Sequence, residues 1–197
     1  GDSSILMANM KSLAIEPGSI QQVVLSHQHN DHTAGLQSLL SAGAEPVVYI
    51  LPSFSGEYKS QLRGQVELIE AAPQQRIMER IYSTGQIAGS PPEQALVIDT
   101  AEGLIVITGC AHPGVDTMVR SAKRDFKEDV ILVIGGFHLG NASTARVEAI
   151  IKELQRLGVK QVAPCHCTGD RAINQFREAF GEDFLQVGVG KVILIET

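Results

Sequence analysis

Short apolar runs alternate with amphipathic stretches through the second half of the chain. Residues 95–100 and 104–109 are apolar and separated only by Ala101-Glu102-Gly103, which predicts a hairpin with a tight turn. Val115–Phe126 carries helical periodicity, and residues 130–135 form a continuous apolar run of strand length. Residues 143–157 place Ala145, Ala149, Ile150, Leu154 and Leu157 on one stripe, with Gly158 as a stop. Residues 160–164 predict another strand, Asp170–Phe180 another helix, and residues 191–195 a final strand. The first half reads in the same way. Residues 3–14 predict a helix capped by Asp2 or Ser3, followed by a turn at Glu16-Pro17-Gly18. A short strand at 23–26, a helix at 33–41 closed by Gly43, and a strand at 47–51 follow. Residues 56–92 are less regular: 66–70 and 77–82 read as strands, and Gly89-Ser90-Pro91-Pro92 as a loop. Strands alternating with helices of this length predict an α/β fold, a sheet covered by helices. Without a repeat or an internal linker, the 197 residues read as a single domain.

Composition narrows the class. A hydrophobic content of 44% with 19% charged residues is globular rather than disordered. The net charge of −6 and the lack of a basic stripe argue against a nucleic-acid partner. They leave room for a small anionic substrate if a metal reverses the local field. No apolar run approaches the roughly 20 residues that cross a bilayer, and no leader is legible. Three cysteines, two of them separated by one residue, make no disulfide framework and suggest a reducing, cytoplasmic setting.

The histidines change the picture by their placement. His27, His29 and His32 follow the 23–26 run, and His112 follows 104–109. His138 follows 130–135, and His166 follows 160–164. In α/β folds the carboxyl ends of strands share one edge, where ligands bind, so the pattern predicts a cluster of imidazoles. His27 and His29 stand two apart, so in extended backbone their side chains leave on one side and can share an ion. Asp31 and His32 come as the chain turns into the next helix and can serve a second ion a few ångströms away. For a single histidine, a solvated strand end would be the plainer reading. Three histidines and an aspartate within six residues favour a metal site.

The stretch Ser26-His27-Gln28-His29-Asn30-Asp31-His32-Thr33-Ala34-Gly35 resembles the H-x-H-x-D-H signature of metallo-β-lactamase-fold hydrolases. Thr108-Gly109-Cys110-Ala111-His112-Pro113-Gly114, Gly135-Gly136-Phe137-His138-Leu139 and Pro164-Cys165-His166-Cys167-Thr168-Gly169 add to the likeness. Together they are similar to the branch of dihydropterin ribofuranosyl-aminobenzene phosphate synthase-like proteins. The resemblance implies an αββα sandwich. It also implies that the chain, opening on a helix, lacks the N-terminal strands of that fold, including an aspartate-bearing strand. It makes His27 and His29 ligands of a first metal site, and Asp31, His32 and His166 ligands of a second. Cys110 falls where many relatives have a bridging aspartate, and zinc accepts sulfur; an inert buried thiol is the alternative. Residues 33–109 contain no histidine, so His112 is the candidate for the remaining first-site ligand. His138 resembles a general acid or oxyanion contact, or else a histidine hydrogen-bonded to a ligand. Cys165 and Cys167 read as packing residues that face away from His166, with redox or metal involvement as the alternative.

The function these expectations describe is metal-dependent hydrolysis. Zn2+, as one or two ions with Mn2+ or Fe2+ as alternatives, would activate a water, with Asp31 orienting it and His138 assisting the leaving group. The resemblance makes a phosphoester of a small anionic metabolite the leading substrate, with no membrane partner and with a homo-oligomer left open. Two other classes compete: a redox protein on the same fold, and a non-catalytic metal-binding or ligand-sensing module.

Overall fold

Three parallel strands organise the start of the chain. A computed structural model describes residues 3–195, and the chain forms two compact units, residues 1–71 and 72–197. In the first unit, β1 (Gln22–Val24), β2 (Val47–Ile50) and β3 (Glu67–Glu70) lie in that order, with Val23 opposite Val48 and Val48 opposite Leu68. Parallel neighbours need crossovers. Here α2 (Asn30–Thr33) and α3 (Gly35–Ser41) connect β1 to β2, and α4 (Gly56–Leu62) connects β2 to β3. Leu25, Leu36, Val48, Ile50, Phe54 and Leu62 make the core between sheet and helices. The N-terminal helix α1 (Ser3–Ser12) contributes Met10 to a smaller cluster with Leu39 and Ala44. The Ser3 hydroxyl lies in its first turn and donates to the Ala34 carbonyl at 2.9 Å. The alternative cap, Asp2, lies outside the described residues.

Two short helices in this unit add to what the sequence pattern predicts. The helix expected at 33–41 is α3, and the separate one-turn helix α2 precedes it, entered from His29 in the extended cap conformation, φ −93°, ψ 150°. Asp31 and His32 are thereby helical, one turn earlier than the hydrophobic periodicity indicates. Helix α4 falls within a stretch with no clear sequence assignment. Ser55 caps it by accepting from the Tyr58 amide at 3.2 Å, and Glu57 sits in the first turn, where the helix dipole favours it.

The second unit holds a six-stranded sheet. Its order is β4 (Gln75–Met78), β5 (Ile81–Ser83), β6 (Leu96–Thr100), β7 (Gly103–Thr108), β8 (Val130–Gly136) and β9 (Gln161–Cys165). Antiparallel pairing joins β4 through β7, and parallel pairing joins β7, β8 and β9. The parallel part is covered by α5 (Val115–Phe126), α6 (Thr144–Arg156) and α7 (Asp170–Phe180), with Val106, Met118, Val133, Ile150, Leu154 and Phe176 at its core. Ile105, Leu132 and Ala163 form a second cluster, so β7 and β8 are buried on both faces, as their unbroken apolar sequences predict. The hairpin at 95–109, the helices and the parallel strands agree with the sequence reading to within a residue or two.

Residues 77–82 do not form one strand. The chain reverses at Glu79-Arg80, with Arg80 at φ 60°, and splits the run into the β4–β5 hairpin. Residues 191–195 form no ladder with the described residues. Their alternation survives without one: Ile193 and Ile195 pack on the second cluster, while Val192 and Leu194 are exposed.

The close of β8 depends on Gly135. It sits at φ 129°, and a Cβ there would lie 2.2 Å from the Thr108 carbonyl oxygen of β7. Gly135→Ala is expected to cost about 3 kcal/mol, combining left-handed strain with forced separation of β7 and β8. A denaturant-midpoint comparison checks this, with a wild-type midpoint refuting it. No described helix is long and apolar enough to cross a membrane.

Candidate metal centre

Each unit brings its own set of metal-type donors. In the first, the chain leaves β1 through Leu25, whose amide extends the ladder to Tyr49 at 3.0 Å, and then carries Ser26 and His27 off the sheet. His27 is fully buried. Its Nε2 faces Nδ1 of His29 at 3.1 Å, and its ring centroid lies 4.3 Å from that of His32. The Ser26 hydroxyl bridges Nδ1 of His27 and Nδ1 of His32 at 3.1 and 3.4 Å. Asp31 Oδ2 meets His32 Nε2 at 3.2 Å. His27, His29, His32 and Asp31 are therefore brought together, as the i, i+2 spacing and the strand-to-helix turn predict.

In the second unit, β7, β8 and β9 run parallel, so the turns after them meet at one sheet edge. These turns carry Cys110 and His112, His138, and His166 respectively. The rings of His112 and His138 lie side by side, with centroids 4.2 Å apart and planes tilted by 49°. Ala111, His138 and His166 all have left-handed backbone, at φ 59°, 52° and 52°. Left-handed non-glycine residues cost roughly 1–2 kcal/mol each, and they gather where function requires the strain to be held.

Hydrogen bonds lace the three turns into one frame. Gly136 N donates to the Gly109 carbonyl at 3.1 Å, and Thr108 Oγ1 to the Gly136 carbonyl at 2.8 Å. Phe137 N donates to Thr168 Oγ1, and Gly140 N to the Cys167 carbonyl, at 3.0 and 3.2 Å. The first turn has a further support that the sequence reading missed. Glu93, fully buried, accepts from Gly109, Cys110 and Ala111 N at Oε1 (3.1, 2.8 and 3.0 Å) and from His112 N at Oε2 (2.9 Å). Its carboxylate fills the nest of backbone amides that carries two candidate ligands. The one sequence signal for it is an acidic residue set directly against the apolar run of β6.

Cys167 corrects another expectation. Left-handed backbone at His166 opens a short 3-10 turn over His166–Thr168 and swings Cys167 round, instead of letting it alternate away. Donor atoms of Cys110, His138 and Cys167 lie within 4.8 Å of one another. The Cys167 thiol is drawn down to about 6, chiefly by the Cys110 side chain beside it, with burial opposing and His138 adding to the effect. Burial, and then the neighbouring Cys167, push the Cys165 thiol up. Imidazoles, thiols and a carboxylate are the donors that zinc and similar divalent ions take, so the residues present fit such a metal.

A cavity of about 530 Å³ opens on the same edge of the second unit, with His112, His138, Cys167, Asn141 and Arg146 in its wall.

The metallo-beta-lactamase superfamily model matches residues 1–125, more than half of the chain and on both sides of residue 71. A Methanocaldococcus jannaschii protein named 7,8-dihydropterin-6-methyl-4-(beta-D-ribofuranosyl)-aminobenzene-5'-phosphate synthase is 34% identical, covering 95% of this chain and 80% of its own. Among solved structures, a metal-dependent hydrolase of the beta-lactamase superfamily aligns with a TM-score of 0.82 at 28% identity, over 100% of this chain and 87% of that one. The short form of human tRNase Z shares the fold alone, with a TM-score of 0.63 at 14% identity over 95% and 84% of the two chains. Matches of this length and identity decide the family: the chain belongs to the metallo-β-lactamase superfamily.

Proposed function

We propose that residues 1–197 act as one metallo-β-lactamase-like domain, a metal-dependent enzyme that hydrolyses a phosphoester of a small anionic metabolite. The donors proposed for its metal, one or two zinc ions or alternatively manganese or iron, are His27, His29, Asp31 and His32 in the first unit and Cys110, His112 and His166 in the second. The observation that carries the reading is the convergence after β1, where ring nitrogens of His27 and His29 face each other at 3.1 Å with His32 and Asp31 beside them. Histidines in general solvate or cap; a buried His27 whose ring nitrogen faces that of the exposed His29 supports a ligand arrangement. A divalent ion bound there supplies Lewis acidity, acidifying a water and taking up charge on the reacting oxygen.

The remaining steps fall to the protein's own groups. Asp31, fixed in the first turn of α2, orients the attacking water. His138, exposed at the end of β8 with its ring tilted against that of His112, passes a proton to the leaving oxygen. Glu93 holds the Cys110–His112 turn in register through its four amide contacts. The three cysteines form no disulfide with one another, and their small number and spacing are the ground for proposing a reducing, cytoplasmic setting.

A second reading has its own support. The relative at 34% identity bears the name of a synthase, whose named product carries a ribofuranosyl group and a 5'-phosphate. On that reading, the same donors would serve bond formation on a phosphorylated ribosyl compound. Hydrolysis of p-nitrophenyl phosphate and bis-p-nitrophenyl phosphate by the metal-loaded chain separates the two. Turnover that EDTA abolishes and Zn2+ or Mn2+ restores is the expected result. Full metal content without turnover of either ester would overturn the hydrolase and leave the synthase reading.

A further inference from the structure

The cavity beside His112 and His138 has a charge character unlike that of the chain around it. The chain carries a net charge of −6, yet no carboxylate is among the residues lining this cavity. Its cationic side chain is Arg146, in the first turn of α6. Most arginines of the second unit are engaged: Arg120, Arg124 and Arg156 with carboxylates, Arg171 with the Ala142 carbonyl, and Arg177 with Asn174 and Gln186. The Arg146 guanidinium has no hydrogen bond or ion pair among the described residues; only its backbone amide is engaged, with the Ser143 hydroxyl at 3.2 Å. Arg171 meanwhile pins the 140–143 loop from α7, so the rim next to Arg146 is braced. Phe137, Val115 and Ile150 give the rest of the wall an apolar face.

From these observations we infer that the cavity is an anion-recognition pocket, in which Arg146 binds the phosphate of a phosphomonoester and the apolar wall takes its organic part. A guanidinium offers paired donors that match two phosphate oxygens, and an acid-free cavity imposes no competing repulsion. A volume of about 530 Å³ suits a ligand of metabolite size. Arg146 is here a specificity-determining residue and not itself a proposed metal donor, although the donor His112 shares the cavity wall. The inference rests on the phosphoester reading for the identity of the anion, and the pocket can be tested without turnover.

The experiment is binding of phenyl phosphate, phenol and inorganic phosphate to the chelator-treated protein, followed by calorimetry or competition. Phenyl phosphate is expected to saturate the wild type, with phenol at least tenfold weaker and inorganic phosphate competing. Arg146→Ala should weaken phenyl phosphate roughly tenfold or more, as loss of a charge-assisted contact does, and Arg146→Lys by less. Lys152→Ala removes the same charge from an exposed position on the same helix outside the cavity, and should change binding less than twofold. Because Arg146 is exposed and its guanidinium is unengaged among the described residues, its variants should melt with the wild type. Equal binding by Arg146→Ala, or an equal loss in Lys152→Ala, would overturn the pocket. If Arg146→Ala alone loses binding while the metal-loaded wild type hydrolyses neither ester, the pocket stands and the hydrolase reading fails. Hydrolysis with an unchanged KM in Arg146→Ala would instead sustain the enzyme and refute the pocket.

Discussion

His29→Ala and His166→Asn are expected to purify folded, with metal content and phosphoesterase activity both lost. His29 is the better probe of the first unit because its side chain is exposed at the cap of α2. His27 is fully buried, and its removal would open a cavity and confound metal loss with unfolding. At His166 the backbone is left-handed, φ 52°, so asparagine, which tolerates that region, separates ligand loss from backbone strain better than alanine does. Substituting even an outer hydrogen-bond partner of a metal ligand lowers affinity by roughly 10–100-fold, so loss of a ligand should cost about 100-fold or more. Metal analysis after dialysis against a dilute zinc buffer, paired with bis-p-nitrophenyl phosphate turnover, reads both effects. A variant that keeps its metal and turns over at the wild-type rate would remove that residue from the donor set.

Much of this centre was legible in the residues because two simple periodicities govern it. An i, i+2 spacing in extended backbone turns His27 and His29 toward each other, and a buried parallel strand must end in a turn at the shared edge. The bounds of α5 and α7 were equally readable, since each is strongly amphipathic and opens after a glycine, Gly114 and Gly169. What was not legible depends on backbone states that side-chain pattern does not encode. Left-handed Arg80 turns one apparent strand into a hairpin. Left-handed His166 brings Cys167 to Cys110 and His138, where alternation would have carried it away. Residues 191–195 have the apolar alternation of a strand, but a strand also needs a free edge with matching register, and that is a tertiary fact. Glu93 is the same lesson in electrostatics: a lone acidic residue before β6 reveals nothing until the turn it fills has folded around it.

Glu93 therefore carries the second large effect, through position rather than contact with substrate. Glu93→Ala would leave the amides of Gly109, Cys110, Ala111 and His112 without their acceptor in a buried turn. Breaking a buried charged partner costs about 3–5 kcal/mol, and that alone could unfold a marginal domain. At about 2–4 °C per kcal/mol for a chain of this size, the melting temperature should fall by roughly 10 °C. Glu93→Gln is the sharper test. Its amide oxygen can keep the three donors now held by Oε1, but its NH2 group would face the His112 amide, donor against donor. The expected result is a much smaller loss of melting temperature than in Glu93→Ala, together with weakened metal retention, because the strain falls on the turn that carries His112. A merely structural carboxylate predicts the opposite pairing, with metal affinity unchanged in whatever fraction remains folded. Wild-type zinc affinity in folded Glu93→Gln, measured by chelator competition, would refute the positioning role.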